Sequence, residues 1–84
     1  MYKERLIAAI NRYRQGSLKE IDFQKTIESI ASSITEDHLN QVRDFLMNVE
    51  GELEYINYMV NINLRHDKYL EQIIRIENFI TAFD

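Results

Sequence analysis

Three carboxylates, a glycine and two tyrosines crowd into the stretch "NVEGELEYINYMV", residues 48–60. Carboxylates at this density in a helical protein gather metal ions, act as acid and base, or present negative charge to a partner. A di-metal site in a bundle needs inward-facing Glu on several helices together with Glu-x-x-His pairs, because each metal takes oxygen and imidazole ligands from both sides. His38 and His66 are far apart, neither lies three residues after a Glu, and there is no cysteine. No metal site is expected. Nucleophilic catalysis wants a Ser, Cys or Lys beside a base and an oxyanion donor set from a glycine-rich turn, and the scattered serines have no such turn. No catalytic or cofactor-binding residue is therefore assigned, and the chain reads as a non-enzyme with no cofactor. A phosphate-cradling loop and a basic, aromatic-interleaved recognition helix are also missing, which argues against nucleic acid. What remains is charge offered to a partner.

The elements that must carry this stretch are helices. Proline is absent and the only glycines are Gly16 and Gly51, a composition that starves hairpins of turn residues. Tyr2, Leu6, Ala9, Ile10 and Tyr13 recur at helical spacing before "RQGS", which predicts a first helix over about 2–15 closed by Gly16 in a left-handed conformation. Arg12 and Arg14 then suit the negative end of that helix dipole. Ser17 with Glu20 forms a capping-box signature, and Phe23, Ile27, Ile30 and Ile34 give a second helix over about 18–33. Thr35 caps a third helix, with Glu36 and Asp37 in its first turn. Its stripe of Leu39, Val42, Leu46, Val49, Leu53, Ile56 and Val60 has gaps of 3, 4, 3, 4, 3 and 4. A loop at Gly51 would destroy that phase, so one helix is expected over about 36–61, with Gly51 a tolerated weak point or a close-packing site. Asn61, Asn63 and Asp67 are loop or cap residues in the last connection. A fourth helix over about 67–83 carries Tyr69, Ile73, Ile76, Ile80 and Phe83, widened by Leu70, Ile74 and Phe79. So wide an apolar face expects two or more neighbours or a second chain.

The expectation is one all-α domain over 1–84, a compact four-helix bundle with a long third helix. At 84 residues, 45% hydrophobic and with nine aromatics (five Tyr, four Phe), the chain has enough apolar area for a core. A chain of this size buries only about 60–65% of its unfolded surface, so its stability is modest. No apolar run approaches the roughly 20 residues needed to span a bilayer, and the charged N-terminus does not read as a signal peptide. With no cysteine either, a soluble, cytoplasmic protein is expected. The net charge of −4 is uneven. Residues 1–25 carry six bases against three acids, a net of +3, and the remainder eleven acids against four bases, a net of −7. Acid on this scale disfavours phosphate and anionic membrane and favours a basic partner.

On a wheel at about 100° per residue, with the stripe of the third helix facing inward, Asp37, Asp44, Met47, Tyr55 and Tyr58 point away from the core. Glu54 lies about a third of a turn off, and Glu50 and Glu52 flank the face. Tyrosine anchors interfaces because it buries a large area at little entropic cost and keeps a hydroxyl. The wheel leaves open whether a neighbouring helix covers Tyr55 and Tyr58.

The glycine-closed first helix, "GSLKEIDFQKTI", the acidic helix "DFLMNVEGELEYINYMV" and the hydrophobic last helix together resemble the small all-helical immunity proteins of bacterial toxins, such as those of colicins and contact-dependent toxins. The resemblance implies a cytosolic protein that plugs the cleft of a cognate toxin domain, often a basic nuclease. It implies that Asp44, Glu50, Glu54, Tyr55 and Tyr58 bind the toxin, and Met47 shares their face. The alternative is a structural or regulatory module that homodimerises through the wide face of the fourth helix and the heptad-like face of the third.

Overall fold

A computed structural model describes residues 1–83. Four α-helices account for nearly all of them: α1 over Tyr2–Arg14, α2 over Glu20–Ser33, α3 over Asn40–Met59 and α4 over Ile62–Phe83. The fold is an all-α four-helix domain with a long third helix, and no strand occurs among the described residues.

The first corner follows the glycine rule. Gly16 has φ +82°; its N–H donates to the Tyr13 carbonyl at 3.0 Å, and the Ser17 N–H to the Arg12 carbonyl at 3.0 Å. These two bonds are the Schellman pair that satisfies the last carbonyls of a helix. They also displace the expected capping box. Ser17 Oγ donates backward to the Arg12 carbonyl at 3.1 Å, so the serine closes α1 instead of opening α2. Helix α2 starts two residues later than expected, with Lys19 as an extended N-cap that makes no side-chain cap bond.

The phase argument for α3 holds across Gly51, which sits inside an unbroken helix. Its other half is corrected. A Cβ at Gly51 would meet nothing within 4 Å, so the glycine is not a close-packing site within the chain. The N-terminal boundary shifts as well. Thr35 does not cap: Asp37–Leu39 forms a 3-10 turn without a side-chain cap bond, and α3 proper starts at Asn40.

The last connection is shorter than expected. Helix α3 stops at Met59, Val60 is extended at φ −100° and ψ 138°, and α4 opens at Ile62. Asn61 Oδ1 accepts the Asn63 N–H at 2.9 Å, the geometry of an N-cap. Helix α4 therefore begins five residues before the expected position, and His66 lies on a helix and not in a loop.

Each stripe faces inward. Leu6, Ala9, Ile10 and Tyr13 of α1 pack with Phe23, Ile27, Ile30 and Ala31 of α2, with Val42, Leu46, Val49, Leu53 and Ile56 of α3, and with Tyr69, Ile73 and Ile76 of α4. Phe45 and Phe79 stack at 4.0 Å between centroids, joining α3 to α4, with Arg75 over the Phe45 ring. Outside the core, Arg14 Nη1 and Nη2 grip Glu77 at 2.6 and 3.0 Å, clamping the end of α1 to α4.

Candidate functional site

The outer face of α3 is built by default. Once Val42, Leu46, Val49, Leu53 and Ile56 are committed to the core, helical geometry sends Asp44, Met47, Gly51, Tyr55 and Tyr58 to the opposite side. No neighbouring helix covers them. Met47 is 57% exposed, Tyr55 58% and Tyr58 74%. The question left by the wheel is thus answered: in the isolated chain both tyrosines face water. Met59 and Ile62, at the corner into α4, extend the exposed apolar surface.

The expected acids divide in two. Asp44 and Glu54 lie on the exposed face. Asp44 has only its neighbour Arg43 at 3.6 Å, and Glu52 and Glu54 have no ion pair or hydrogen bond among the described residues. Glu50 is different. It is half-buried and its Oε2 accepts from Gln24 Nε2 at 2.9 Å, so it is engaged inside the chain and leaves the free surface. The reason is rotational. Glu50 sits on the side of α3 that meets α2, where Gln24 reaches it.

That bond ends a polar chain that the sequence reading missed. Tyr69 Oη, fully buried, lies 2.9 Å from the Glu20 carbonyl and 3.0 Å from Asn57 Oδ1. Asn57 Nδ2 donates to Gln24 Oε1 at 2.6 Å, and Gln24 in turn donates to Glu50. A carboxylate only accepts, which orients the Gln24 amide and then the Asn57 amide, whose Oδ1 shares the single Tyr69 phenol proton with the Glu20 carbonyl. Beside this chain Tyr13 Oη donates to Glu20 Oε2 at 2.7 Å and sits 2.9 Å from His66 Nδ1. Since the phenol has one proton and gives it to Glu20, His66 Nδ1 is the donor in that pair. Burial pushes the phenols of both Tyr13 and Tyr69 well above their ordinary value of 10.0; for Tyr13 the Glu20 carboxylate adds to the effect. The rings of Tyr13, Phe23 and Tyr69 pack together at 5.4–6.0 Å. A tyrosine on a core stripe was the available clue, because a buried hydroxyl demands a partner.

This cluster ties all four helices together. Its phenols are buried among aromatic rings, and no buried side-chain polar atom among the described residues lacks a partner. Nor do three or more His, Cys, Asp or Glu residues gather in a way that could hold a metal ion, among the described residues. No described helix is long and apolar enough to cross a membrane.

Beside Tyr58 a groove of about 260 Å³ is lined by Lys19, Glu20, Ile21, Asn57, Tyr58 and Arg65. The outer surface is therefore acidic around Asp44 and Glu54 and carries two cations near Tyr58. Of the heptad-like face of α3 expected to serve a homodimer, Val42, Leu46, Val49, Leu53 and Ile56 are buried in the core of the single chain, and Leu39 and Val60 are partly buried against it. On α4, Tyr69, Ile73 and Ile76 are buried too, and Ile74 is the one large apolar residue from the mid-helix that stands exposed.

No protein-family model, no curated protein and no solved structure matches this chain.

Proposed function

We propose that this is a non-enzymatic binding protein of the immunity type, which neutralises a bacterial toxin domain by laying the outer face of α3 into its basic cleft. The observation that carries the reading is the exposure of Tyr55 and Tyr58, with Met47, on the same face of α3 as the exposed acids Asp44 and Glu54. The fold has no use for these side chains. Large aromatics with a polar tip are efficient anchors when a partner dries them, because few rotamers are lost per unit area buried. The acids act earlier. They raise the local concentration of a positively charged cleft and orient the encounter, an effect that shows in the association rate and fades with salt. The partner is thus a basic protein domain, such as a nuclease, whose phosphate-binding cleft mistakes carboxylates for phosphate. Nothing in this mechanism requires a cofactor or a chemical step, and it places the protein in the cytosol of the toxin's producer.

The test is genetic and biochemical. The product of the reading frame directly upstream is produced in cells with and without this chain, and its complex with the chain is sought by co-purification. Growth arrest that this chain relieves, with a stable complex, supports the reading. A harmless neighbouring product that does not bind the chain contradicts it.

A further inference from the structure

Gly51 occupies the line of α3 directly opposite the core, and the fold gives no reason for a glycine there. Its φ is not positive, a trait confined to Gly16 among the described residues, and a Cβ added at Gly51 meets nothing within 4 Å. Glycine in a helix interior gives up conformational freedom that alanine keeps from losing. The chain accepts that penalty at a site where alanine fits. The surface neighbours of Gly51, three and four positions away on the helix, are Met47, Asn48, Glu54 and Tyr55. Met47, Glu54 and Tyr55 are exposed. The missing side chain leaves a gap among them that is open down to the helix backbone.

We propose that Gly51 is the floor of a notch that receives an arginine side chain of the basic partner. Each wall suits one part of that side chain. Glu54 supplies a carboxylate with no cation of its own among the described residues, Tyr55 a ring face for the guanidinium plane, and Met47 a polarisable thioether against the aliphatic stem. Asn48, the fourth neighbour, is held toward α4, where its Oδ1 accepts from Arg75 Nη2 at 3.1 Å. Lysine fits less well, because a compact ammonium cannot stack on the ring while forking onto a carboxylate. A methyl at position 51 raises the floor and shuts the notch without touching its walls. The proposal rests on the reading of the α3 face as a partner surface.

The two ideas are separated by titrating the isotope-labelled chain with hexa-arginine and with hexa-lysine peptide at low salt, followed by NMR. Wild type, Gly51→Ala, Tyr55→Ala and a control on α2, Glu28→Gln, are compared. The expected result is an arginine preference of about two- to fivefold in wild type, with shifts centred on residues 51–55 and retained in Glu28→Gln. Gly51→Ala loses that preference while its Tm rises by about 4–8 °C, which excludes unfolding as the cause. Equal binding of the two peptides by wild type overturns the notch. So does a preference that survives Gly51→Ala but disappears in Tyr55→Ala, an outcome that leaves the α3 face standing. Shifts that avoid α3 altogether overturn both.

Discussion

The Tyr69 hydroxyl lies 2.9 Å from the Glu20 carbonyl and 3.0 Å from Asn57 Oδ1, so one buried phenol ties α4 to both α2 and α3. This relationship fixes how α3 is rotated in the bundle. Asn57 can reach Tyr69 and Gln24 only while Leu53 and Ile56 point inward, and that rotation is the one that turns Tyr55 and Tyr58 to water.

Replacing Tyr69 with phenylalanine keeps the ring packing and deletes the hydroxyl. Asn57 Oδ1 loses its donor at a half-buried position, so the variant is expected to be less stable by about 1–2 kcal/mol. Urea unfolding checks this: the midpoint should fall with an unchanged slope. An unchanged midpoint would mean that the polar chain carries no net stability.

Alkaline pH should unlock the same cluster. Burial raises the phenols of Tyr13 and Tyr69 above the ordinary value of 10.0. In the unfolded chain they ionise from about that value, while in the folded chain they hold their protons. The stability they contribute is complete below pH 10 and declines as pH rises above it toward their folded values. Circular dichroism and the tyrosinate absorbance band, followed together, should show these two phenols ionising in the same transition that melts the helices. Ionisation of all five tyrosines with the helices intact would contradict the assignment.

Two residues on the same helix should respond in opposite ways. Leu53 is fully buried and Tyr55 is 58% exposed. Leu53→Ala is expected to cost about 2–5 kcal/mol through lost transfer energy and a residual cavity, a large part of the stability of so small a domain. Tyr55→Ala is expected to stay within about 0.5 kcal/mol of wild type, as surface changes do. Thermal melts of the two variants decide it, and a strongly destabilised Tyr55→Ala would mean that the tyrosine serves the fold.

Much of this was legible in the sequence because helical periodicity is read over many residues at once. The stripe from Leu39 to Val60 carried the helix through Gly51 correctly, and Gly16 marked its corner by the one backbone conformation that glycine alone adopts cheaply. Single polar residues were less legible, because their partners come from tertiary structure. Ser17 had two carbonyl and amide ends within reach and took the one behind it. Glu50 looked like Glu54 in sequence, yet a rotation of about 40° around the helix brings only Glu50 to Gln24. Asn57 and His66 find partners on other helices, which no local pattern encodes.

The central claim is that the outer face of α3 binds a basic protein. The most direct measurement is the association and dissociation kinetics of this chain with the upstream-encoded product, across a range of salt, for wild type and for Glu54→Lys combined with Tyr55→Ala. The account predicts that the wild-type association rate falls as salt rises, and that the double variant, with unchanged circular dichroism, binds at least about thirtyfold more weakly. Equal affinity of the two proteins, or a wild-type association rate indifferent to salt, would contradict it.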